Sequence, residues 1–305
     1  MSQKVVLITG TSTGIGEACV ARQAAAGWRV YAGVRKPEDG ERLVSSISGD
    51  VVPVIIDVTK RDDIDRVLEQ IDAEAGLLHG LVSNAGIAVG GPVETLTDEE
   101  WRWQFDGNFF SLVTLSRTAL PLMDKGNGRF VHVGSIAGRV ATAGLGPYAA
   151  SKFAVQAFNW VLRAELAQNT RMSSSVVEPG EIKTAIWDKT YENMLELEQL
   201  LESQGLMGRY GHLVEGQRGF IAEGRAKGCG AGQGGRRRRA CSHRTTAKTP
   251  LPRWPGRSDD RGARQASGPP VGPAPAGQRQ TPRASGPQAR RDIALMGLMT
   301  NRESL

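Results

Sequence analysis

The strongest constraint on the fold lies within the first sixteen residues. The apolar run Val5-Val6-Leu7-Ile8 leads directly into Thr9-Gly10-Thr11-Ser12-Thr13-Gly14-Ile15-Gly16, and a helical period follows over 14–26. A strand, a glycine loop and a helix in that order suit a dinucleotide pyrophosphate. The glycines permit a tight turn and close backbone approach, and the helix amides face the phosphates. The spacing, G-x-x-x-G-x-G, is one residue longer than the common fingerprint. Taken alone, such a loop also fits an ordinary strand–helix turn.

The rest of the chain continues the pattern to about residue 178. Candidate strands Val5–Thr9, Arg29–Val34, Val51–Asp57, Gly80–Ser83, Arg129–Ser135 and Ser173–Val177 alternate with helical stretches near 14–26, 61–75, 98–124 and 147–168. Strands such as Val51-Val52-Pro53-Val54-Ile55-Ile56 are apolar on both faces, as expected when helices cover both sides. The alternation predicts an α/β fold: a single Rossmann-type doubly wound parallel sheet with right-handed crossovers. No internal repeat is present.

Charge and cysteine usage narrow the class. The net charge of +6 is misleading, because residues 229–291 alone carry 14 Lys and Arg against 2 Asp. Elsewhere 24 basic face 30 acidic residues, so the basic character says nothing about the main domain's partner. The run Arg236–Arg239 lacks interleaved aromatics or a groove-reading motif, and no nucleic-acid partner is expected. No stretch approaches the ~18 apolar residues of a membrane span. Met1-Ser2-Gln3-Lys4 runs straight into the first strand without a cleavage site, which argues against a signal peptide. Cys19, Cys229 and Cys241 have no metal-like spacing, so no metal is expected and a reduced cytoplasmic setting fits best.

Two further segments carry chemistry. The second strand ends Ala32-Gly33-Val34-Arg35-Lys36, with no acid before Glu38. A carboxylate there would hold the ribose 2′-hydroxyl of NAD, whereas Arg35 offers a planar fork to a 2′-phosphate. That favours NADP(H), with NAD(H) as second choice; the bland alternative is a solvated basic pair. Tyr148 and Lys152 lie four apart in a helical stretch, so both emerge on one face. A free tyrosine, with a pKa of about 10, is roughly 0.1% ionised at pH 7. A functional shift of about three units requires roughly 4 kcal/mol, much of which one close, partly desolvated cation supplies. Such a pair suits proton exchange with an alcohol or carbonyl. Tyr-x-x-x-Lys alone is frequent on helix surfaces, and its weight comes from its company.

With that company the chain resembles the short-chain dehydrogenase/reductase family from residue 4 to about 187. Thr9–Gly16 matches the family's T-G-x-x-x-G-x-G loop, which implies cofactor contacts at Gly10, Ser12, Gly14, Ile15 and Gly16 beside Arg35. Asp57-Val58 matches the acid that holds the adenine amine, and Asn84-Ala85-Gly86 matches N-A-G after the fourth strand. Asn108, Ser135, Tyr148 and Lys152 fall at the catalytic positions. Pro179-Gly180-Glu181-Ile182-Lys183-Thr184 matches P-G-x-I-x-T, which implies that Pro179, Gly180, Ile182 and Thr184 close over the nicotinamide. Val30–Arg35 looks like the branch of 17β-hydroxysteroid and retinol dehydrogenases and their bacterial relatives.

The resemblance implies hydride transfer between a nicotinamide and a small apolar alcohol or carbonyl. Tyr148 is then the general acid/base, and Ser135 orients the substrate oxygen. Lys152 holds the ribose and lowers the tyrosine pKa, while Asn108 positions a water leading to solvent. A homodimer or homotetramer is implied as well. Three departures stand out: Gly107 before Asn108, Ser83 before Asn84, and Gly134 before Ser135, where the family favours Val, Asn and Ser. The rival reading is a catalytically impaired, cofactor-binding regulatory protein on the same fold.

The remaining expectations concern packing and organisation. His132 reads as a satisfied core or edge histidine, in preference to a second base, Trp103 as packing, and Trp101 as surface or subunit contact. Residues 1–226 read as the domain, with a helical lid over 186–207 whose apolar face is Trp187, Tyr191, Met194, Leu195, Leu197, Leu201 and Leu206. The alternative for that face is a plain subunit-contact helix. Residues 227–292 are rich in Gly, Pro and Arg and read as disordered, and 293–305 as a short apolar tail. Between 229 and 291 there is no Glu, Ile, Phe, Tyr, Met or Asn. That fits either a low-complexity tail or a GC-rich gene read in the wrong frame, and it leaves the family's seventh strand missing.

Overall fold

In the computed structural model, residues 3–180, 182–183, 186–227, 229–230 and 244–245 are described. Strands β1 (Val5–Thr9), β2 (Arg29–Val34), β3 (Val51–Ile55), β4 (Gly80–Ser83), β5 (Arg129–Val133) and β6 (Ser173–Glu178) form one parallel sheet in the order β3-β2-β1-β4-β5-β6. Helices α1 (Gly14–Ala25), α2 (Pro37–Ser46), α3 (Arg61–Ala75), α4 (Asp98–Phe105), α5 (Ser111–Lys125) and α6 (Gly146–Asn169) connect them. The order reverses at β1, so the carboxyl ends of β1 and β4 flank a crevice where ligands of such sheets bind.

The period of the strands assigns their side chains. In β1, Val5 and Leu7 join Tyr31, Leu81 and Phe130 under α3, α5 and α6, with Ile64, Ile71, Leu115 and Leu162. Val6 and Ile8 point the other way, among Val30, Ala32, Val20, Ala24 and Leu43 beneath α1 and α2. Both faces are buried, as the apolar runs require, and each large side chain so buried stabilises by about 1.5–3 kcal/mol. Strand β3 departs from that expectation. It is the sheet edge, Val51, Val52 and Pro53 are only half-buried, and Ile55 is exposed. Pro53 has no amide to offer a ladder, which is tolerable at an edge.

The single helix expected over 98–124 is interrupted. A capping box, Thr97 with Glu100, starts α4. One π-turn over Asp106–Phe110 then separates it from α5. Beyond β6, the 186–207 segment resolves into α7 (Ile186–Ser203) and the start of α8 (Met207–Lys227). Met194, Leu197 and Leu201 of α7 bury themselves with Val214 and Ile221 of α8, so this part of the apolar face packs a helical hairpin.

Beyond these helices only short pairings are described. Strand β7 (Ile182–Lys183) pairs with β8 (Cys229–Gly230). Along β6 the described neighbour is β9 (Arg244–Thr245), two residues running antiparallel to Val177 and Glu178. The rest of the Gly/Pro/Arg-rich segment and the apolar tail lie outside the described residues.

Candidate active site

The glycine loop leaves the end of β1 and is shaped by contacts that exclude any side chain. Gly10 has φ +65°, and a Cβ there would lie 2.7 Å from the Ala85 Cα. At Gly16 a Cβ would lie 2.1 Å from the Gly10 carbonyl oxygen. The loop is therefore open to a ligand only because it is bare, a cradle that fits a dinucleotide pyrophosphate at the start of α1. Asn84 secures it from below, its Nδ2 donating to the carbonyls of Thr9 (3.0 Å) and Gly10 (2.8 Å). Thr9 Oγ1 accepts from the amides of Asn84 and Ala85, each at 3.2 Å.

Two residues that sequence reasoning did not single out complete this cradle. Thr11 donates from Oγ1 to the Gly33 carbonyl at 3.0 Å, tying the loop to the end of β2. Arg42 of α2 donates to the Ser12 carbonyl and pairs with Glu17 at 2.7 Å. No composition signal marks Arg42; only the fold brings it across. Gly14 and Ile15 form the first turn of α1.

Arg35 follows β2, is exposed, and has no hydrogen bond or ion pair among the described residues, so its fork is free for an anion. Asp57 lies just past β3, half-buried, with Oδ1 accepting from Thr59 N (3.0 Å) and Oγ1 (2.7 Å). That turn fixes its carboxylate just beyond the end of β3, and Val58 packs against the core.

Gly86 is where the cofactor cradle meets the catalytic positions. A Cβ there would lie 2.9 Å from Asn108 Oδ1 and 3.9 Å from Lys152 Nζ. Asn108 sits in the π-turn, a distortion often found at functional sites. Its Oδ1 accepts from the Ile87 amide (2.7 Å), and its Nδ2 donates to the Ile87 carbonyl (3.0 Å) and to Ser151 Oγ (3.2 Å). Both amide hydrogens are thus committed, and a water held by this side chain must donate to Oδ1. Gln104, also unanticipated, holds the same loop by accepting from Val89 N (2.6 Å) and donating to the Ile87 carbonyl (3.0 Å). Gly107 fits here because a Cβ would press to 3.0 Å on Ile87.

Tyr148 and Lys152 lie on α6, two turns of which face the end of β5. The Lys152 ammonium is buried, donates to the Val133 carbonyl at 3.0 Å, and lies 5.7 Å from the Tyr148 ring centroid. Burial pushes its pKa down to about 8. Tyr148 is held above its ordinary pKa by burial, while a hydrogen bond with the Ser135 side chain pulls the other way. The lowered tyrosine pKa expected from the sequence is therefore not a property of these side chains by themselves. Ser135 caps the short turn Ile136–Gly138, its Oγ accepting from Ala137 N at 3.1 Å.

The segment after β6 closes the arrangement. The Pro179 carbonyl accepts from Ile136 N at 3.1 Å, Gly180 follows, and Ile182 is buried. Thr184 lies outside the described residues. Among the departures from the family pattern, Gly134 has a packing cause: a Cβ would lie 2.6 Å from Val176 Cγ1. Ser83 is buried with its hydroxyl unpartnered.

Three packing expectations need correction. His132 is buried in the core beside Phe130 and Phe158, yet neither ring nitrogen has a partner, and burial holds its pKa down to about 4. It is neutral and unsatisfied. The two tryptophans exchange roles: Trp103 is exposed, whereas Trp101 is half-buried with its ring over Gly146. Both lie on α4 two positions apart, about 200° around the helix, so burying Trp101 turns Trp103 outward. Among the described residues no cluster could hold a metal ion, and no helix is long and apolar enough to cross a membrane.

Comparisons with known proteins agree with this fold. The family model described as short chain dehydrogenase matches residues 4–195. The uncharacterized oxidoreductase YbbO of Escherichia coli (strain K12) is 36% identical over 211 residues, covering 68% of this chain and 76% of that protein. The 17-beta-hydroxysteroid dehydrogenase type 6 of Bos taurus is 36% identical over 202 residues, 65% of this chain and 63% of that one. A crystal structure of a short chain dehydrogenase/reductase from Burkholderia phymatum in complex with NAD superposes with a TM-score of 0.59. Its identity is 26%, over 61% of this chain and 69% of that chain.

Proposed function

The chain belongs to the short chain dehydrogenase family, enzymes acting on CH–OH donors with NAD(P), and on that premise we propose how its own residues divide the work. The observation that carries the reading is the convergence at α6: a buried Lys152, Tyr148 one turn away, and a Ser135 side chain that draws the tyrosine pKa down against the effect of burial. When bound, the nicotinamide supplies or accepts the hydride. Tyr148 Oη gives its proton to the carbonyl oxygen in reduction and removes it in oxidation. Ser135 Oγ bonds the same oxygen and orients it. Lys152 holds the ribose hydroxyls and, with its charge, favours the tyrosinate. Asn108 and Gln104 keep the Ile87–Val89 loop in place beside them.

Gly10, Ser12, Gly14, Ile15 and Gly16 hold the pyrophosphate, with Asn84 positioning them. Asp57 and Val58 face the adenine, and Ala85 and Gly86 line the ribose. Pro179, Gly180, Ile182 and Thr184 close over the nicotinamide. Arg35, free of other partners among the described residues, holds a 2′-phosphate, which supports NADP(H) over NAD(H). The substrate is an apolar secondary alcohol or ketone, or the corresponding primary alcohol or aldehyde, bound under the α7–α8 hairpin. On α6 the exposed stripe Phe153, Trp160 and Val161 supports a homodimer contact. The absence of a spanning helix among the described residues is compatible with a cytoplasmic location.

The test is the near-ultraviolet absorbance of reduced nicotinamide, followed with a panel of steroids, retinoids and aliphatic ketones. Turnover with at least one apolar carbonyl, faster with NADPH than with NADH, is expected. Cofactor binding without turnover on any of them would favour a regulatory protein.

A further inference from the structure

Glu178, the last residue of β6, is only 3% exposed and carries a carboxylate that the proposed chemistry does not use. Its Oε1 accepts two hydrogen bonds, each at 2.5 Å: one from Arg139 Nε and one from Gln156 Nε2. Among the described residues its Oε2 is buried without a partner, as is Gln156 Oε1. A buried carboxylate held this way is expensive to desolvate, and replacing such a group by an apolar one is often neutral for stability. Folding alone gives little reason for it.

The two donors belong to opposite halves of the catalytic set. Arg139 closes the short turn that begins at Ser135; its amide donates to the Ile136 carbonyl at 2.9 Å. Gln156 lies on α6 at four-residue spacing from Lys152 and eight from Tyr148, so all three share one stripe. The same junction is packed without slack. A Cβ on Gly138 would lie 2.8 Å from the Lys152 carbonyl oxygen, and Gly134 N donates to the Val177 carbonyl at 2.8 Å.

We propose that Glu178 is a positioning residue whose single carboxylate oxygen brackets the Ser135 turn to the helix stripe of Tyr148 and Lys152. Its bond to Arg139 sets where the serine stands, and its bond to Gln156 sets where the tyrosine stands. Between them they fix where the Ser135 side chain stands relative to Tyr148. The proposal rests on the hydride-transfer reading above for its kinetic consequence, though not for the geometry. The phosphate cradle, on the other side of the crevice, is outside its reach.

The experiment compares Glu178→Leu, Glu178→Gln and Arg139→Met with the wild-type enzyme and with Tyr148→Phe. Leucine keeps the volume and removes both acceptor bonds; glutamine keeps an acceptor oxygen. Glu178→Leu should lower kcat at least tenfold, within the roughly 10²-fold that ångström-scale misplacement costs, and leave the cofactor KM within about twofold. Glu178→Gln should recover most of that loss. Arg139→Met, cutting only the half-exposed arm, should fold normally and lower kcat severalfold. Hydrogen exchange gives a reading independent of activity: amides 136–140 should exchange faster in Glu178→Leu, with residues 10–16 unchanged. An undiminished kcat in Glu178→Leu, or faster exchange spread evenly over both segments, overturns the bracket. Wild-type turnover lost only in Tyr148→Phe leaves the hydride-transfer reading standing alone. Absence of wild-type turnover would sink that reading, and the exchange pattern would still decide the bracket.

Discussion

Around β1 and β2 the candidate site is a backbone surface: Gly10 and Gly16 are bare because any Cβ would strike Ala85 or the loop itself. Around β5, β6 and α6 it is made of buried side chains, with Lys152, Asn108, Ser135 and Glu178 all less than a tenth exposed. The first region is shaped by the absence of side-chain atoms and places no charge in the interior. The second holds an ammonium whose pKa is down to about 8 and a carboxylate with a bare oxygen, which oppose folding. The contrast predicts different failures. Adding an atom should ruin the first region, while removing a charge from the second should cost function and leave stability intact or improved.

Gly16→Ala should give the largest effect on cofactor binding. Its Cβ would stand 2.1 Å from the Gly10 carbonyl oxygen, so the loop must shift. A loss of roughly 3 kcal/mol, or about 10²-fold in cofactor affinity, is expected in a fluorescence titration. An unchanged Kd would mean that the loop is not the cradle.

His132 sharpens the comparison at the core edge of the catalytic region. Its pKa is about 4 when folded against an ordinary 6.5, so the unfolded chain binds the extra proton between those values. Stability is therefore full above pH 6.5 and falls as pH drops towards 4, by about 3 kcal/mol in all. Urea unfolding of His132→Asn across that range should show a flatter acid limb; an identical slope contradicts the assignment.

Lys152→Met should abolish most turnover and yet unfold at higher urea at pH 7. The folded state disfavours the ammonium by about 3 kcal/mol, less about 1 kcal/mol for the lost bond to Val133. In the wild type the unfolded chain holds the proton between pH 8 and 10.5, so stability rises through that window and the mutant's advantage shrinks. A mutant less stable than wild type at pH 7 would show that burial of this lysine carries no such cost.

Arg35→Asp is the smallest change and tests the exposed rim of the backbone region. It exchanges a 2′-phosphate partner for a 2′-hydroxyl acceptor. The ratio of kcat/KM for NADPH over NADH should fall by about tenfold or more, about 1.4 kcal/mol. A ratio that does not move makes Arg35 a surface residue.

The same contrast explains what could be seen in the sequence. Strands β1, β2 and β4 were readable to the residue because apolar runs end abruptly at glycine, serine and charge. Helix α2 escaped notice because Gly40 sits mid-helix; its purpose is contact, since a Cβ would lie 2.7 Å from Pro53. Helix α8 was hidden by Gly208, Gly211, Gly216 and Gly219, each costing about 1 kcal/mol in helix propensity and blurring the period. The π-turn left no signature except Gly107, because it changes hydrogen-bond partners and not composition. At the site, positions carried by a motif were readable. Arg42, Gln104, Gln156 and Glu178 were not, since each is a lone polar residue whose partner lies 15 or more positions away. Only tertiary packing gives them meaning.

The most direct test of the central claim is Tyr148→Phe, which removes one oxygen from the side-chain region and nothing from the backbone cradle. Cofactor Kd and single-turnover hydride transfer should be measured together on the substrate the wild type turns over best. The expected result is a Kd within about twofold and a rate lower by about 10²- to 10⁴-fold, the usual contribution of general acid catalysis. A rate equal to that of the wild type would contradict the account.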